Sequence, residues 1–77
     1  MEIRSIQSKR YDKINDVLYI KFSSMANSYG DEKNGVVLFR DMFTGEVTGV
    51  TVFYPVRDRE ERKAQLHAMG LDVDITV

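Results

Sequence analysis

Few side chains in this sequence are equipped for chemistry. His67 is the single residue whose ordinary pKa lies near neutrality, and the carboxylates around it are spread along the chain. A small hydrolase or isomerase working through His67 is therefore the one enzymatic arrangement the inventory permits. A structural role is favoured instead, because His67 falls in the last turn of a helix-forming segment, where a cation already suits the dipole. One His without any Cys does not make the usual zinc ligand set. Asp12 and Asp16 flank a turn, and Asp72 and Asp74 alternate near the end of the chain. Neither pair has the loop of oxygen ligands that calcium or magnesium takes. Capping of the turn by the first pair, and protection of a strand edge by the second, fit the spacing better. The five glycines are isolated, so no phosphate-cradling loop is present. No catalytic residue, cofactor or metal is expected, and the chain is read as not an enzyme.

Aromatic residues with a polar tip suit contact surfaces, and Tyr11, Tyr19 and Tyr29 are of that type. Tyr19 lies opposite the face of its strand that carries Leu18. It would anchor a contact surface if no helix covers it; the competing expectation is a ring packed under the helix. Formal net charge is −1, which gives no bulk attraction to a nucleic-acid backbone, and no nucleic-acid partner is expected. The one dense basic group, Arg57, Arg59, Arg62 and Lys63, is interleaved with Asp58, Glu60 and Glu61 and reads as a solvated helix face. The longest apolar run, Val36 to Phe39, is far below the roughly 18 residues of a membrane span. With no signal-peptide pattern either, a cytoplasmic location is expected.

The elements that must position these groups fit within one domain over residues 1–77. Val and Ile number 14 and sit in short runs broken by Gly, Asn and Asp, a composition of strands. The expected class is α+β: a small, mainly antiparallel sheet of four to five strands, one helix near the C-terminus and a final C-terminal strand. A polar first strand is expected over Ile3 to Tyr11, then a tight connection over Asp12 to Asp16. Val17 to Phe22 follows, with Leu18, Ile20 and Phe22 facing the core. Ser23 to Asn34 reads equally as a loop or an edge strand. Asn34-Gly35 is a turn before Val36 to Arg40, and Asp41 to Gly45 closes a hairpin to a strand over Glu46 to Tyr54. Gly49 inside that strand implies a bulge or a close neighbour. Pro55 ends the strand and a helix is expected from Val56 to Met69, with Leu66, Met69, Ala64 and Ala68 as its buried stripe and Gly70 as its stop.

Leu71, Val73, Ile75 and Val77 alternate with Asp72, Asp74 and Thr76. Burying four such side chains contributes about 6 to 10 kcal/mol before entropy is subtracted. The segment is therefore expected to dock as a strand, on its own sheet or on that of a second copy. A chain this short removes only about 60% of its unfolded surface from water. Self-association as a homodimer, with Tyr19, Leu71, Val73, Ile75 and Val77 as interaction residues, is the expectation that meets both facts.

Two motifs carry a family likeness. Tyr11-Asp12-Lys13-Ile14-Asn15-Asp16-Val17-Leu18-Tyr19-Ile20 resembles the YD-xxx-D-x-LYI opening of a small bacterial and archaeal domain-of-unknown-function family, number 2283. Gly45-Glu46-Val47-Thr48-Gly49-Val50-Thr51-Val52 is similar to its closing hairpin, and the likeness spans roughly residues 10 to 54. It implies a small antiparallel sheet with a helix and no established activity. Some members of that family resemble partners of small ribonuclease-like toxins, so the likeness implies, by analogy, an antitoxin-like alternative with a small basic toxin as partner. Two departures weaken any polar site carried over from the family: its acidic hairpin turn is Asp41-Met42-Phe43-Thr44 here, and its Glu in the last strand is Thr51.

Overall fold

Alternating short strands become a five-stranded antiparallel sheet in the computed structural model, which describes residues 2, 3 and 5–77, the first two as backbone alone. The strands are β1 (Glu2–Ile3), β2 (Ser8–Asp12), β3 (Val17–Lys21), β4 (Ser28–Lys33), β5 (Val36–Asp41), β6 (Val47–Phe53) and β7 (Leu71–Asp72), and the helix α1 is Arg59–Ala68. The sheet order is β2-β3-β6-β5-β4, so β6 is central and β2 and β4 are the edges. β1 and β7 form a separate parallel pair. The expected α+β class holds.

Turn chemistry sets the hairpins. The Asp12 carboxylate accepts from the Ile14 and Asn15 amides at 3.1 and 3.2 Å and from the Asn15 side chain at 2.8 Å, closing the β2–β3 connection. Asn34 and Gly35 both have positive φ, 51° and 90°, the two-residue turn whose twist matches its strands. The Asp41 side chain accepts from the Phe43 and Thr44 amides and shapes the β5–β6 connection. In β6 the pairing steps from Phe39↔Gly49 to Arg40↔Val47, which leaves Thr48 as an extra, bulged residue. The Thr48 carbonyl accepts from the Phe22 and Ser23 amides instead, and its hydroxyl lies 2.6 Å from that of Ser28.

The core lies on one face of this sheet. Leu18, Ile20, Val36, Leu38, Val50 and Val52 meet Leu66 of α1 and Leu71 and Ile75 of the tail. Three expectations need correction. The first strand is interrupted: β1 pairs with β7, whereas β2 belongs to the main sheet and pairs with β3. The C-terminal segment is a strand only at Leu71–Asp72, and Ile75 is inserted into the chain's own core rather than hydrogen-bonded along an edge. The helix starts at Arg59, not Val56, because the Asp16 carboxylate takes the Val56 and Arg57 amides at 3.3 and 3.2 Å and holds Tyr54–Asp58 as a separate turn. The segment Ser23 to Asn34 resolves into a loop followed by the edge strand β4.

Candidate functional site

Side chains alternate across a strand, so Leu18 and Ile20 of β3 enter the core while Tyr19 and Lys21 emerge on the other face. Register extends this to the whole sheet. Arg10 pairs with Tyr19, Tyr19 with Thr51, Thr51 with Val37 and Val37 with Glu32, one row across all five strands. The neighbouring row is Ser8, Lys21, Gly49, Phe39 and Gly30. Directly paired residues share a face, so both rows lie opposite the core. Leu66, the buried apolar residue of α1, packs on the Leu18 face, so the helix does not cover Tyr19, which keeps 38% of its surface exposed.

Local packing gives this second face its relief. A Cβ on Gly49 would meet the Met25 sulfur at 2.8 Å and the Ile20 carbonyl at 2.9 Å, so only glycine lets Met25 fold down over β6. Gly30 likewise leaves room for the Phe39 ring, 2.9 Å from where a Cβ would stand. The Arg10 guanidinium stacks 4.3 Å from the Tyr19 ring centre. Between these groups lies an open depression of about 460 Å³ with Thr51 in its wall, rimmed by Tyr19, Phe39 and Met25 and by the cations Arg10 and Lys21. Charge is divided across the face. Within the two rows Arg10 and Lys21 stand on β2 and β3 and Glu32 stands on β4 at the far edge, while Asp12, on the same face of β2 as Arg10, is turned to the Ile14 and Asn15 amides.

The remaining candidates are dispersed. Leu71 and Ile75 are buried, Val73 packs against the core in part, and Val77 is 53% exposed. Tyr19 lies on the opposite side of the sheet from them, so the five expected interaction residues do not form one surface. His67 Nδ1 is 3.3 Å from the Asp72 carboxylate, the ring exposed and the carboxylate half-buried. Asp74 accepts from the Thr76 amide and pairs with Lys9 at 3.8 Å. Bonds from Thr76 and the nearby Lys9 charge hold its carboxyl below the usual range. Asp12 is lowered in the same way by its bonds from Asn15. Among the described residues no group of three His, Cys, Asp or Glu side chains is placed to hold a metal ion.

Two functional assignments made from the sequence change. Arg62 is not part of a solvated basic face: it is 6% exposed, and its Nε donates to the Phe53 carbonyl at 2.7 Å and its Nη1 to Gln65 Oε1 at 2.9 Å. Ala64 and Ala68, assigned to the buried stripe, are exposed. The Tyr11 and Asp16 of the first motif form a structural bond, with the hydroxyl donating to Asp16 at 2.7 Å and its pKa raised by that bond. Tyr29, Met42 and Phe43 are exposed apolar positions outside the two rows. Among the described residues no helix is long and apolar enough to cross a membrane. Comparison with protein-family models, curated proteins and solved structures returned no match, so the family likeness rests on its two motifs alone.

Proposed function

We propose that the chain is a small non-enzymatic interaction module that self-associates as a cytoplasmic homodimer through the second face of its sheet. The observation that carries this is the row Arg10, Tyr19, Thr51, Val37, Glu32. It sets ring, aliphatic and charged groups side by side on a sheet face that α1 leaves uncovered. Such a mixture of an apolar centre and a polar rim is the anatomy of a contact surface. The contact moves from the tail, where the sequence suggested it, to the sheet, because Leu71 and Ile75 are already used by their own core. Membership of the resembled family is likewise proposed on the motifs, and it supplies no activity.

Sedimentation over a dilution series tests this. Five strands about 4.8 Å apart and five residues at about 3.3 Å give a footprint of about 24 by 17 Å. That is about 400 Å² per copy and about 800 Å² in all, the size of a weak, transient contact rather than a stable interface, so a dissociation constant between about 10 μM and 1 mM is expected. Tyr19→Glu is expected to weaken association about tenfold or more without unfolding the domain. A monomeric mass up to about 1 mM, with amide shifts independent of concentration, would remove self-association.

A further inference from the structure

We propose that two copies dock face to face about a twofold axis running along β6, with Arg10 of each copy paired to Glu32 of the other. This rests on the self-association proposed above and specifies how it is made. Because β6 is the central strand, a twofold axis parallel to it exchanges β2 with β4 and β3 with β5 while keeping each row in register. In the first row this sets Arg10 over Glu32, Tyr19 over Val37 and Thr51 over its own counterpart. In the second row it sets Lys21 over Phe39 and Ser8 over Gly30. Three of these pairings are chemically matched, cation with carboxylate, ring with aliphatic and cation with ring, and the small Ser8 meets the Phe39 ring where it lies over Gly30.

The other in-plane twofold, perpendicular to the strands, lays β2 on β2 and β4 on β4. It brings Arg10 towards Arg10 and Glu32 towards Glu32, so charge selects the axis along β6. Twist does not break the match. Facing sheets cross at about 30°, and the edge strands lie about 10 Å from the axis, so opposed edge residues are displaced by about 5 Å. Arginine and glutamate side chains are long enough to span that displacement. The Arg10 stack on Tyr19 already holds the guanidinium over the face, and the open depression between Tyr19 and Phe39 leaves room for the partner's Val37 and Phe39 side chains.

Charge exchange between copies tests the geometry. Arg10→Glu and Glu32→Arg proteins are each expected to self-associate at least about tenfold more weakly than the parent, since each places like charges opposite one another twice. An equimolar mixture of the two is expected to associate as tightly as the parent, because every arginine then meets a glutamate. Circular dichroism and thermal melts of each variant establish that it is folded before its mass is measured. Single variants that associate like the parent, or a mixture that stays as weak as its components, overturn the twofold arrangement; if Tyr19→Glu still disrupts association, the face itself stands. A parent that remains monomeric at about 1 mM overturns both the geometry and self-association.

Discussion

Replacing Arg62 by Ala should be about as damaging as truncating the core residue Leu66 of the same helix, although Arg62 sits in a stretch of alternating charges. Its Nε bond to the Phe53 carbonyl is a charge-assisted bond at a site only 6% exposed, worth about 1.5 to 3 kcal/mol. The stem contributes about 1.6 kcal/mol more from the two buried methylenes that alanine lacks. The ion pair with Asp58 at 3.5 Å adds at most about 0.5 kcal/mol, because that carboxylate is partly in water. Arg62→Ala is therefore expected to cost about 3 to 5 kcal/mol. The whole stability of a domain this size is about 4 to 11 kcal/mol. Arg62→Met keeps the stem and should cost about 1.5 to 3 kcal/mol, whereas Arg59→Ala, an exposed neighbour, should stay within about 0.5 kcal/mol. Urea titrations followed by circular dichroism would measure all three. An Arg62→Ala protein within about 0.5 kcal/mol of the parent would show that the guanidinium does not hold the helix to the end of β6.

Two further outcomes are expected. Ile75→Ala should cost about 2 to 4 kcal/mol and Val77→Ala less than about 0.5, since the first is 3% exposed and the second 53%; equal effects in guanidinium titrations would contradict the docking of the tail in its own core. Stability should also fall at both extremes of pH. Bonds from Asn15, Arg57 and Thr76 hold the Asp12, Asp58 and Asp74 carboxyls low, so the unfolded chain binds protons more readily and acid below about pH 4 favours unfolding. The raised pKa of Tyr11 works in the opposite sense: its contribution is present below about pH 10 and is lost above it as the unfolded chain releases the proton first. Thermal melts of the parent and of Tyr11→Phe should differ in their alkaline decline, and identical declines would count against the Tyr11–Asp16 bond as its source.

Local signals were legible where one residue type forces one conformation. Asn34-Gly35 made its turn because few other pairs accept two positive φ values, and Leu18 with Ile20 named the core face because a strand has only two faces. Alternation in Leu71 to Val77 correctly placed Leu71 and Ile75 inside, but period two reports burial and says nothing about which backbone is hydrogen-bonded. Arg62 was misread because its partners, the Phe53 carbonyl and the space above Gly35, are distant in sequence and carry no charge pattern. Tyr19 could be assigned to the face opposite Leu18 from the sequence. The charged row that runs through it could not, since Arg10 and Glu32 become row-mates only after four strand registers are known.

Asp16 imposes an order of events on the folding chain. Its backbone is left-handed, φ 53°, a conformation that costs a non-glycine residue about 1 kcal/mol or more. Three of the groups that compensate it, the amides of Tyr54, Val56 and Arg57, arrive some forty residues later. Closing a loop of that length costs about 3 kcal/mol of chain entropy before those bonds return anything. The first hairpin therefore carries a bend compensated only by the Tyr11 hydroxyl until the last third of the chain comes back to it. Lesions at Asp16 should consequently show themselves as faster opening of the finished protein rather than slower collapse of the nascent one.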